Sequence, residues 1–138
     1  MRVTRARVPP ADGDRGSFTL ELAILFPTFL LLVLVIVQAA LYFFARSIAM
    51  SAAQEGARTA RLQGHQLTEG QLAATRFATD QGDGVLTNTS VSTTGSTPTQ
   101  VSVAVTGRVL TVVPGLSFTI RQVAQAPRER YTTAVGPP

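Results

Sequence analysis

The chain has no cysteine, no lysine and a single histidine, His65. Without cysteine there is no disulfide framework and no thiolate metal site, and cysteine usage says nothing about redox compartment. One histidine, with the acidic pair Asp80 and Asp83 in an expected turn that has no basic partner nearby, does not assemble a nucleophile, a base and an orienting group. No enzyme activity, catalytic residue, metal or cofactor is expected. All twelve basic residues are arginine, which hints at coding bias and identifies no partner. The other scarcity is local: between Leu22 and Ala45 there is no charged residue at all.

That uncharged run is the dominant feature. As a helix rising about 1.5 Å per residue it would extend roughly 36 Å, more than a hydrocarbon core of about 30 Å, and so it reads as a transmembrane helix. Arg2, Arg5, Arg7 and Arg15 precede it, against Arg46 and Arg58 just beyond, so the positive-inside rule favours a cytoplasmic N-terminus and an extracytoplasmic C-terminal part. The aromatic cluster Tyr42, Phe43 and Phe44 fits an interfacial anchor. The basic leader lacks the aromatic and amide side chains that stack on or read bases, so no nucleic-acid binding is expected. A secretory signal peptide is a poor fit. Cleavage in "VQAA" would leave a chain beginning "ALYFFA" at Ala40, with its apolar residues exposed.

Pro27 lies inside the run, where it cannot donate to the carbonyl of Ala23 and should loosen the first turns. Beyond the membrane, "ARSIAMSAAQEGARTARLQ" continues the helix, with small residues every fourth position at Ala52, Gly56 and Ala60 and at Ala49, Ala53 and Ala57. Such ridges let another helix approach closely. Gly64 should break the helix. A second helix is expected from Thr68, read as the N-cap of a capping box with Gln71 and flanked by a Leu67 and Leu72 staple, to about Thr79, with Gly82 as the stop. The "TDQGDG" stretch lacks the ligand pattern of a calcium loop.

Residues 87–100 hold nine serines and threonines in fourteen positions and read as a polar edge strand and loop. "TQVSVAVTG" alternates, with Val101, Val103 and Val105 on one face, and "RVLTVV" and "LSFTIRQVA", parted by Pro114 and Gly115, read as two further strands of a meander. The expected fold class is α+β and pilin-like: a long N-terminal helix that crosses the membrane and extends outside it, a second short helix, and a small antiparallel sheet packed on both. The expected organisation is a basic cytoplasmic leader (1–16), the long helix (17–63), a small extracytoplasmic α+β domain (64–126) and a flexible tail (127–138).

Three stretches, "RGSFTLE" at 15–21, Pro27 in the apolar run and "AAQEGAR" at 52–58, together resemble the TadE-like pseudopilins, minor components of the Tad (tight adherence) branch of type IV pilus and secretion machinery. The resemblance implies cleavage after Gly16 by a membrane-embedded prepilin peptidase, with Ser17 as the mature N-terminus and Glu21 as the fifth mature residue. Phe18 departs from the small residue common at its position. The resemblance also implies subunit-assembly roles for Glu21, Pro27, Glu55, Gly56 and Arg58. The implied partners are membrane lipid, the prepilin peptidase, sibling pseudopilins, the major pilin and the inner-membrane assembly platform. Read without the resemblance, Gly16 is a hinge between leader and helix, Glu21 complements the helix dipole, and Glu55 and Arg58 form a local i, i+3 pair. The alternative function is a single-pass anchor holding an extracytoplasmic binding module that undergoes no pilin processing.

Overall fold

A sequence that is uncharged from Leu22 to Ala45 and then carries a stripe of alanines builds one uninterrupted helix, α1 (Gly13–Arg61). In the computed structural model, which describes residues 13–62, 64 and 66–128 with side chains from Phe18 onward, α1 is followed by α2 (Leu67–Gly82), β1 (Leu86–Ser92), β2 (Gln100–Val109) and β3 (Phe118–Pro127). The fold class is α+β. The chain divides into two compact units after Ile36. The first is the apolar part of α1, and the second comprises the rest of α1, α2 and the sheet.

In the second unit α1 buries Ala45, Ile48, Ala49, Ala52, Ala53, Gly56, Ala57 and Ala60. Their recurrence at i, i+3, i+4, i+7 and i+8 defines a single helical face. α1 ends at Arg61, and Gly64 beyond it, at φ +84°, lies in the left-handed region that glycine enters without strain. The face of α2 toward α1 is also small, with Gly70, Ala74, Ala78 and Gly82 buried at every fourth residue. The helices run antiparallel: a Cβ placed on Gly70 would meet Ala60, one on Gly56 would meet Ala74, and one on Gly82 would meet Ile48.

The sheet is an antiparallel meander in the order β1-β2-β3. Residues Val101, Val103 and Val105 are fully buried in the same core cluster as the helix alanines, with Ile120 and Ala124 of β3 beside them. On the opposite side of β2, Ser102 and Ala104 are also buried, so the central strand is covered more fully than its alternation implies. β2 pairs with β3 without interruption from Gln100↔Pro127 to Val109↔Phe118, whereas β1 carries a register shift between Thr87 and Ser90, where Asn88 has a φ of 50°.

Several sequence expectations change. The "RVLTVV" stretch is not a separate strand: Arg108 and Val109 complete β2, and the rest is loop. The glycine that seemed to end the strand, Gly107, is paired with Ile120 and sits there because a Cβ would lie 2.6 Å from Leu86 Cδ1. Thr68 is not the N-cap. Gln66 holds that position with no side-chain cap bond, its carbonyl accepting from the N–H groups of Glu69 and Gly70 at 3.1 and 3.4 Å. The staple is absent as well: Leu67 packs on the core while Leu72 is exposed, so core burial rather than capping sets the start of α2. Gly82 is the last helical residue and buried, and the chain reverses at Gly84 instead. The tail expected to fray lies, from residue 129, outside the described residues.

Leu86 is almost fully buried, so it cannot swing away from a side chain added at Gly107. Gly107→Ala should therefore destabilise the protein by about 1–3 kcal/mol through overpacking. The check is thermal unfolding of the full chain in detergent, followed by circular dichroism.

Candidate functional site

The first unit of α1 is a helix with large apolar side chains exposed around its whole circumference, among them Phe18, Leu22, Leu25, Phe29 and Leu32. A helix apolar on all sides is stable only when buried in protein or in lipid. None of the residues in its most apolar window is buried, and the helix is long and apolar enough to cross a membrane. It fits a single-pass membrane anchor.

The expected functional residues fall into separate groups along α1. Gly16, Ser17 and Arg15 lie in helical backbone, but their side chains lie outside the description, and Arg2, Arg5, Arg7 and His65 lie outside the described residues altogether. Glu21 is exposed. Pro27 is exposed too, and the helix continues through it. The next residue, Thr28, donates its hydroxyl to the carbonyl of Ile24 at 3.0 Å, one residue beyond the Ala23 carbonyl that Pro27 leaves without its helical donor.

Farther along, Glu55 is half-buried, Gly56 buried and Arg58 exposed. Gly56 is turned inward, toward the chain's own second helix: a Cβ there would lie 2.8 Å from both the Ala74 Cβ and the Gly70 carbonyl oxygen, and 3.1 Å from Val103. Arg58 instead lines a shallow groove with Gln54, Arg61 and residues 124–126 of β3. Glu55, Gly56 and Arg58, read together as one motif, therefore face different surroundings. Among the described residues, no group of three or more histidine, cysteine, aspartate or glutamate side chains could hold a metal.

Two features were not evident from sequence. Tyr42 is partly buried and packs edge-to-face on Phe118 of β3, with centroids 6.1 Å apart, whereas Phe43 and Phe44 are exposed. Gln38, inside the uncharged run, is 5 % exposed and uses both ends of its amide: Nε2 donates to the Leu110 carbonyl at 3.2 Å, and the Val112 N–H donates to Oε1 at 2.9 Å. The available signal was an uncharged but hydrogen-bonding side chain in a run that otherwise offers it nothing, since buried amides are nearly always paired.

Residues 16–58 match the family model described as TadE-like protein. The match takes in under half of the chain, the apolar part of α1 and its small-residue face up to Arg58, and over that segment the chain is similar to TadE-like proteins. No curated protein and no solved structure matches the chain.

The closeness of α1 and α2 gives a direct test. Alanine at Gly56 would gain about 1 kcal/mol in helix propensity. That gain is outweighed if the new Cβ must push apart a helix backbone, at about 1–3 kcal/mol or more. Gly56→Ala and Gly70→Ala should each lower the melting temperature in detergent. A rise in either would mean that the helices do not approach this closely.

Proposed function

We propose that the chain is a minor pseudopilin, a structural component of a Tad-type pilus or secretion machine, cut after Gly16 by a prepilin peptidase. The observation that carries the reading is where the TadE-like match begins, at Gly16, on the N-terminal side of the proposed bond. Supporting it is the apolar helix that follows, a fit to a single-pass anchor. In the proposed orientation Arg2, Arg5, Arg7 and Arg15 stay in the cytoplasm, and α2 and the sheet lie on the other side.

Proteolysis needs an extended backbone, and the Gly16–Ser17 bond lies within helical backbone. A glycine there lowers the cost of unwinding by about 1 kcal/mol relative to alanine. Cleavage removes the leader and leaves an α-amino group on Ser17, largely protonated near neutrality, one helical turn from Glu21. Glu21 then pairs with that amine or with the same amine of a neighbouring subunit, and the intersubunit pair sets axial register. Pro27 loosens the helix just beyond. Since Gly56 faces α2, any part of the "AAQEGAR" segment in subunit contact falls to Glu55 and Arg58. The partners are membrane lipid, the peptidase, sibling pseudopilins, the major pilin and the inner-membrane assembly platform.

Intact mass of the membrane-extracted protein tests the processing. The native chain should begin at Ser17, and Gly16→Val should remain uncut and unassembled. A native chain that retains its leader would leave a plain single-pass anchor as the reading. Glu21→Gln and Glu21→Leu should both be cut and inserted normally while co-purification with sibling pseudopilins falls. Undiminished co-purification in both would reduce Glu21 to a residue that complements the helix start.

A further inference from the structure

The uncharged run reaches Ala45, but the globular unit begins at Val37, and the very next residue, Gln38, already bonds to protein through both ends of its amide. The residues available to lipid are therefore those from Phe18 to Val37, uncharged except for Glu21 in the first turn. At about 1.5 Å per residue they span roughly 30 Å, the thickness of a hydrocarbon core. Gln38 then stands at the far edge of that core. Phe43 and Phe44, both exposed, follow about 7.5–9 Å farther along the helix, at headgroup depth, where aromatic side chains are favoured.

The same two hydrogen bonds hold the β2–β3 loop at the level of Gln38. This loop has no charged residue anywhere between Arg108 and Arg121. It turns at Gly115, which has φ +83°, and it exposes Leu110, Val112 and Leu116 by 44, 37 and 48 %. Exposed aliphatic side chains are ordinary on a protein surface taken singly, but three of them on one uncharged loop are well suited to an apolar contact. Its fixed depth beside the end of the apolar run says which surface.

The geometry points to the β2–β3 loop as a second membrane contact: Leu110, Val112 and Leu116 enter the interface of the bilayer that α1 crosses, and Gln38 is the positioning residue that sets their depth. The occupant is lipid, because the loop is tied to the residue at which the lipid-spanning helix ends. The inference rests on α1 crossing a membrane and is independent of any cleavage at Gly16.

The absence of cysteine lets single labels be placed on the full chain. Ile24→Cys, Leu116→Cys and Thr94→Cys, all at exposed positions, would each carry an environment-sensitive fluorophore. The proteins are reconstituted at high dilution in phosphatidylcholine–phosphatidylglycerol vesicles, with and without lipids bearing a nitroxide. Labels at Ile24 and Leu116 should lose most of their emission to the nitroxide lipid, and the label at Thr94 should not. Combining Gln38→Leu with Leu116→Cys should release the loop and reduce its quenching. In the matching Ile24→Cys chain, Gln38→Leu should leave quenching unchanged. A Leu116 label that ignores nitroxide lipid and is quenched by aqueous iodide, while Ile24 is quenched by lipid, overturns the proposal. So does a blue-shifted Leu116 label without nitroxide quenching, which would mean contact with another protein surface. An unquenched Ile24 label removes the premise that α1 crosses the bilayer, and undiminished Leu116 quenching in Gln38→Leu overturns the depth-setting assigned to Gln38.

Discussion

Gly56 and Gly70 bring α1 and α2 so near that a Cβ on either would lie within 2.5–2.8 Å of the other helix. The rest of the globular unit depends on this approach. Its core consists mainly of alanines, and its largest fully buried side chains are the valines Val101, Val103 and Val105. Alanine removes little apolar area from water, so a core of this kind gains its stability from contact density more than from the size of what it buries. Only two helices without intervening side chains can supply that density. The same closeness lets a three-stranded sheet seal the remaining side of the helix pair.

This packing commits the distal part of α1 to its own chain. The two small-residue ridges, one through Ala52, Gly56 and Ala60 and the other through Ala49, Ala53 and Ala57, are buried. The proximal part has no such partner and presents large apolar side chains on all sides. One continuous helix is thus suited to two media, with the division of units after Ile36 and the first buried amide at Gln38. The change is abrupt because it rests on side-chain size: leucine, isoleucine and phenylalanine suit fluid lipid, whereas only alanine and glycine permit the close helix contact that follows.

Much of this was legible in the sequence. The uncharged run, the spacing of the small residues and the alternation of Val101, Val103 and Val105 all follow from local periodicity, and each appears in the structure, whereas the helix expected to run to residue 63 ends at Arg61. What was not legible depended on distant partners. The ridges announced a helix neighbour without naming α2. Gly107 read as the end of a strand because its reason for being glycine, the Leu86 side chain, comes from a different strand. Thr68 had the chemistry of a cap, yet burial of Leu67 starts the helix earlier. Gln38 reaches carbonyl and amide groups 72 and 74 residues away, beyond any local pattern. For the proposed assembly residues the limit is different, since Glu21 and Pro27 are exposed on the helix and the proposed partner of Glu21 is an amine that exists only after cleavage.

That last limit bears on how subunits of this design would recognise one another. With the small-residue face of α1 occupied by α2 and the sheet, helix contact within the membrane is left to the proximal segment. There the exposed groups are leucine, isoleucine, valine and phenylalanine, and lipid tails are as apolar as these side chains. Apolar contact in that medium therefore discriminates weakly between one neighbour and another, or between a neighbour and lipid. A charged group behaves differently: an unpaired carboxylate at the membrane edge is penalised and a paired one is not, so one acidic residue can distinguish a single register from all the others. Under the proposed assembly role, Glu21 is the one acidic side chain on the lipid-spanning part of α1 able to act in this way. Register would then depend on a group whose cationic partner exists only once the Gly16–Ser17 bond has been cut, which would couple assembly to processing without any further switch.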